Sequence, residues 1–298
     1  MSSNRDVVYI PPGKVEIRTP VPPQSCSFTS RLPMRIICLV AASVTIGGTA
    51  WAQGATAQNA PAATNAPPGA TTAAPAVPEQ ASRLLQQMGA YLGSAGQFTF
   101  HADVTFDHVL PSGQKLQFSA AEDVALQRPN RLYVEWSGDL VDRQFWYDGT
   151  SITLYDPATS FYATHAAPPD IDSMLDKVVA QLGFAPPLAD FLYRDPYRSV
   201  SDKLQSGFDL GSYDVNGTSC RSFAFVEKDI DWQIWIQDGP QIIPCKLVIT
   251  YKTQPSEPQF TAVFTDWDFA PRIAGSAFTP DLPASAKKIP FATVASTK

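Results

Sequence analysis

Between Gln97 and Asp107 apolar and polar side chains alternate without a break, with Phe98, Phe100, Ala102, Val104 and Phe106 on one side and polar groups on the other. Successive side chains of a strand point to opposite faces, so this stretch is a strand with one face on a core and one in water. The same alternation predicts strands at about 97–108, 114–127, 131–137, 142–148, 151–155 and 160–165, again from near Tyr213, and at 219–227, 231–237, 245–252 and 259–267. Pro111-Ser112-Gly113, Arg128-Pro129-Asn130, Asp148-Gly149, Asp156-Pro157 and Asn216-Gly217 carry the chemistry of short turns, which join antiparallel neighbours. The inward set reads Phe98, Phe100, Val104, Phe106, Leu116, Phe118, Val124, Leu132, Val134, Trp136, Ile152 and Leu154.

Helical spacing interrupts the strands twice. Ala81, Leu84, Leu85, Met88, Tyr91 and Leu92 follow Pro78 as one apolar stripe, with Gly93 or Gly96 expected to close it. Ile171, Met174, Leu175, Val178 and Leu182 form a second, with Asp170 as its cap and Gly183 as its end, and Leu188, Phe191 and Leu192 a third after Pro186-Pro187. A sheet of about ten strands must curl or close. The expected fold is therefore α+β, a curved, incomplete antiparallel β-barrel with an N-terminal helix and a central helical lid. Phe278, Leu282 and Ile289 would tack the Pro- and Ala-rich end of the chain to this body.

The chain ahead of position 78 follows other rules. From Met34, one cation and an apolar stretch lead to Ala50-Trp51-Ala52, which reads as a secretory signal peptide over 34–52. The apolar stretch is shorter and more Gly-broken than the roughly 20 apolar residues of a membrane span. Residues 1–33 fit no signal pattern, and a start codon placed too early accounts for them. Residues 53–77, rich in Ala, Thr and Pro and without charge up to position 77, read as a disordered linker, leaving 78–298 as the binding domain.

Processing at position 52 removes five cations and two anions and leaves 17 positive against 26 negative charges, a net of −9. A chain this acidic has no general attraction to nucleic acid. Only Cys220 and Cys245 remain, in a compartment that permits disulfides. They are a candidate pair, although a flat meander with 231–237 between them would hold them about 9.6 Å apart, beyond the roughly 7 Å reach of a bridge.

Three segments, Asp231–Ile236, Pro244–Lys252 and Phe260–Trp267, with the Val215-Asn216-Gly217 hairpin and Phe278-Thr279-Pro280, resemble a family of predicted periplasmic proteins, domain of unknown function 2092. That family is similar in architecture to the periplasmic lipoprotein carriers and to mycobacterial lipid-handling lipoproteins, whose incomplete barrels cover an apolar cavity with a helical lid. The resemblance implies a hydrophobic, acyl-like ligand or a lipidated protein as partner, with transient contact with envelope membranes. Cys245 stands where a basic residue is expected in the Pro-Xaa-Lys-Leu strand, which puts in doubt any anionic partner of that position.

Chemistry-bearing residues are sparse. His101, His108 and His165 do not form a metal or catalytic motif, no nucleophile motif is present, and neither metal nor cofactor is expected. Glu122 and Asp123 point to opposite faces as strand neighbours; Glu122 falls on the inward set, unless a bulge at Ala120-Ala121 turns it outward. The Trp and Tyr residues serve either as core or as a stacking platform. The leading expectation is an exported, non-catalytic binding protein with Phe100, Phe118, Trp136, Trp235 and Phe264 lining an apolar cavity. The alternative is an envelope interaction or sensor module without a small ligand, and a hydrolase comes third.

Overall fold

The computed structural model describes residues 76–182 and 188–291. The extension over 1–33, the signal peptide over 34–52, nearly all of the linker, and the roles expected of Gly183 and Pro186-Pro187 lie outside the described residues. Helix α1 (Glu79–Ser94) leads into strands β1 (Gln97–Val109), β2 (Lys115–Gln127), β3 (Arg131–Gly138), β4 (Arg143–Tyr147), β5 (Ser151–Asp156) and β6 (Phe161–Ala166). Next come helix α2 (Ile171–Lys177), a π-helical turn (Val178–Leu182), a 3-10 turn (Ala189–Leu192) and helix α3 (Pro196–Ser201). Strands β7 (Ser206–Val215), β8 (Thr218–Val226), β9 (Ile230–Gln237), β10 (Pro244–Tyr251), β11 (Gln259–Asp268) and β12 (Lys287–Lys288) complete the described chain.

All these strands join one curved, unclosed sheet in the order β12-β6-β5-β4-β3-β2-β1-β11-β10-β9-β8-β7, so the fold is an α+β half-barrel. Twelve strands stand where about ten antiparallel ones were expected, and β12 runs parallel to β6. Register explains the single apolar face. Phe98, Leu126, Leu132, Tyr147 and Ile152 are cross-strand partners in succession, and all are buried. On the other half, Phe106, Phe260, Ile249, Trp232 and Phe225 form an equivalent row. Cross-strand contact between side chains is the unit of sheet stabilisation, and each fully buried Leu, Ile or Phe contributes about 1.5–3 kcal/mol. Leu116, Phe118 and Leu154, expected in the inward set, are only half-buried.

The helices cover the concave side. Asp170 caps α2 by accepting from the Ser173 amide at 2.8 Å, and Ile171 donates its amide to the Pro129 carbonyl at 3.0 Å. Arg128 ties three elements together: its guanidinium donates to the carbonyls of Ala95, Leu192 and Tyr193 at 3.1–3.2 Å. Gly93 does not close α1, which runs to Ser94. It permits close approach instead, because a Cβ there would collide with the Arg194 carbonyl oxygen. At the far end Phe278 is buried, while Leu282 and Ile289 are half-buried.

Cys220 and Cys245 form a disulfide with Cα atoms 6.8 Å apart, which corrects the flat-sheet expectation. The separation of two strand spacings fails because Cys220 lies opposite Gln237, the last residue of β9, and Cys245 occupies a register shift between Pro244 and Lys246. A bulge in β10 at Cys245, beside the end of β9, brings the outer two strands together.

Candidate functional site

The concave face of β9 and β10 presents Trp232, Ile234, Leu247 and Ile249. Above them stand Leu85 and Met88 of α1, Phe191 of the 3-10 turn, and Pro196, Tyr197 and Val200 of α3. These side chains leave a hollow of about 80 Å³ between helices and sheet, completed by Ile230, Asp190 and Glu227. It reaches the surface beside the exposed Asp190. Each wall has a local cause. The β9 residues share one parity along a strand, Leu85 and Met88 share one stripe of a helix, and α3 begins at Pro196 with Asp195 accepting from the Arg198 amide at 3.1 Å.

Two carboxyl groups break the apolar lining. Glu227 opens the hairpin between β8 and β9, is 7% exposed, and accepts from the Trp232 indole N–H at 2.8 Å. Burial pushes its carboxyl above the ordinary range, partly offset by that hydrogen bond and by Lys203 and Lys252; Asp190 pushes it further up. Lys252 is engaged by Asp231 at 2.7 Å and by the Glu227 carbonyl.

None of the five residues expected to line a cavity borders this hollow. Phe100 and Phe264 pack together at 5.7 Å, and Phe264 meets Phe191 at 5.2 Å, so these two lie beneath the helical cover. Trp136 and Phe118 both flank Phe106 at 6.1 Å, further along the sheet. Trp235 stands on the opposite face, where the Lys246 ammonium lies 4.9 Å from its ring. Alternation dictates this, since Trp232, Ile234 and Ile236 are buried and Trp235 has the other parity. The same parity was the signal that could have selected Trp232 from the sequence. No comparable signal marked Tyr197 and Val200, which lie on a helix of only six residues.

Glu122 faces inward. The register of β2 with β1 and β3 runs without a shift, and this places Glu122 between Ala102 and Trp136. It is 0% exposed, and neither carboxyl oxygen has a hydrogen-bond partner. Arg143, one strand beyond Trp136 on the same row, is paired with Asp156 at 2.8 Å. Burial, with a smaller contribution from Asp123, raises the Glu122 carboxyl well above its ordinary value. Of the histidines, His101 lies on the polar face between Asp123 (2.7 Å) and Asp103 (3.6 Å), and the hydrogen bond to Asp123 raises its pKa. Among the described residues no three His, Cys, Asp or Glu side chains are placed to hold a metal ion, and no helix is long and apolar enough to cross a membrane.

In fold the chain is similar to an uncharacterised conserved protein from Thermus thermophilus, at 7% identity and a TM-score of 0.42 over 71% of this chain and 99% of that one. It is also similar to LprF from Mycobacterium bovis (13% identity, TM-score 0.38, 71% and 100%) and to a LolA superfamily protein from Nitrosomonas europaea (8%, 0.36, 67% and 98%). No curated protein matches it in sequence. A family model described as "Predicted periplasmic protein (DUF2092)" matches residues 81–292, well over half of the chain. That description agrees with the periplasmic residence expected from the sequence, and the extent of the match assigns the chain to a family: it belongs to the predicted periplasmic proteins of DUF2092.

Proposed function

We propose that this protein is a non-catalytic periplasmic carrier that shelters the apolar part of an amphiphile between the β9–β10 face and the helical cover. The observation that carries the reading is the hollow itself, walled by apolar side chains of two sheet strands and two helices and open beside Asp190. Leftover apolar volume bounded by a few polar groups is the usual form of a small-molecule site. At about 80 Å³ the hollow is smaller than the roughly 150 Å³ cavity that admits benzene. An alkyl chain therefore enters only as α3 and the 3-10 turn swing outward, about the attachment that Arg128 provides. The partner is a lipid, or a lipidated protein presented at an envelope membrane.

Titration with a fluorescent naphthylamine probe tests this reading. Val200→Trp fills the hollow from its solvent side and lowers probe affinity at least tenfold, with an unchanged circular dichroism spectrum. Equal affinity in the two proteins would refute the hollow as the site.

A second reading has its own observation. Among the described residues strand β7 is an edge of the sheet, and Phe208 (44% exposed) and Tyr213 (53%) project from it beside Leu210. Unpaired edges with apolar side chains are sites where another chain adds a strand. Loss of an envelope partner on Phe208→Lys, with probe binding intact, would favour this interaction module.

A further inference from the structure

The polar groups of the hollow carry one sign. Of the side chains that line it, Asp190 and Glu227 are the two carboxyl groups, and no Lys, Arg or His is among them. Glu227 is nearly fully buried against Trp232, and its carboxyl accepts a hydrogen bond from that neutral indole N–H. The two nearby ammonium groups are not part of the lining: Lys252 is held by Asp231 and by the Glu227 carbonyl, and Lys203 acts on Glu227 only as a neighbouring charge. An anionic head entering here would meet two carboxyl groups, and at the buried Glu227 repulsion is weakly screened. An ammonium head would meet acceptors on two sides, with charge-assisted hydrogen bonds about twice as strong as neutral ones.

Resting on the carrier reading above, we infer that the amphiphile bound in this hollow ends in a primary ammonium, which donates hydrogen bonds to the carboxylates of Glu227 and Asp190 while its alkyl chain lies against Trp232, Ile234 and Leu247. A buried carboxyl group without a counter-ion in contact is costly to ionise, and the ligand's head supplies that counter-ion. Charge thereby sets the selectivity, and apolar contact supplies the affinity.

The test uses dodecylamine, dodecanol and dodecanoate, titrated into the whole protein by isothermal calorimetry at pH 7. Dodecylamine is expected to bind at least tenfold more tightly than dodecanoate, with dodecanol between them. Glu227→Gln is expected to reduce the ratio of amine to carboxylate affinity at least threefold. Asp190→Asn, at an exposed position, is expected to reduce it in the same direction. Dodecanoate bound as tightly as dodecylamine, or a ratio unmoved by both substitutions, overturns the assignment of the head group while leaving the hollow as an apolar site. Failure of all three compounds to bind overturns the carrier reading together with the inference.

Discussion

Glu122 offers a quantitative test of how the half-barrel is held together. In the native state its carboxyl is fully enclosed between Ala102 and Trp136 and has no hydrogen-bond partner, so burial keeps it protonated well above the ordinary range. In the unfolded chain it ionises near pH 4.3. Between that value and its raised native value the native state binds one more proton than the unfolded state, so stability falls as pH rises. The slope is about 1.4 kcal/mol per pH unit, and it ends where the native carboxyl itself titrates. Glu122→Gln keeps the shape and removes the proton, so its stability advantage over the natural protein grows by about 1.4 kcal/mol per pH unit inside that window. Glu122→Met also removes the unpaired polar atoms and gains about a further 1–3 kcal/mol at every pH. Urea unfolding at pH 5, 6, 7 and 8 measures this directly. Parallel stability profiles for Glu122→Gln and the natural protein would refute the argument, because they would mean that Glu122 is solvated or paired in the native state.

Three further outcomes follow from the packing. Replacing both Cys220 and Cys245 by Ala opens a loop of 25 residues and lowers stability by about 3.5 kcal/mol in calorimetry, while denatured oxidised protein beginning at Gln53 shows no free thiol. Gly93→Ala lowers stability by about 1–2 kcal/mol even though it improves helix propensity by about 1 kcal/mol, because its Cβ collides with the Arg194 carbonyl; Gly96→Ala, with nothing near its Cβ, stays within about 0.5 kcal/mol in the same denaturation assay. Arg128→Met leaves three carbonyls without a charged donor and speeds amide hydrogen exchange over Ala189–Ser201 at least tenfold, whereas unchanged exchange there would mean that Arg128 does not hold the cover.

Most of the sheet was legible because period-two alternation is imposed wherever one face is buried. Phe98 to Phe106 announces its face by parity alone and Asn216-Gly217 announces its hairpin, whereas in β9 the strand is legible but the inward face belongs to Trp232 and not to the expected Trp235. Strand β7 was read only from Tyr213 because Phe208, Asp209 and Leu210 in its first half are exposed on both faces, so no buried face imposes an alternation there. Strand β12 consists of two exposed lysines and gives no apolar signal. The disulfide was misjudged for a different reason: spacing in sequence does not reveal the bulge at Cys245 that shortens the path across β9.

The site was harder to read than the fold because a hollow consists of what side chains leave unfilled. The aromatic residues singled out from the sequence are large, and Phe100 and Phe264 fill their part of the interior by packing against each other. The hollow lies instead where α1 approaches α3 across Gly89, whose Cβ would meet the Tyr197 amide nitrogen at 3.0 Å. Such small-residue contact between helices has no hydrophobic signature. Glu227 was equally silent, since a Glu at a hairpin is ordinarily solvated, whereas here it is buried with its carboxyl on the Trp232 indole N–H.

Native mass spectrometry of the protein purified from its own periplasm, followed by organic extraction, addresses the carrier function most directly. A bound amphiphile with an alkyl chain and a basic nitrogen is expected, retained by the natural protein and depleted in Val200→Trp. A mass equal to that of the bare polypeptide, with an extract empty of amphiphiles, would contradict it.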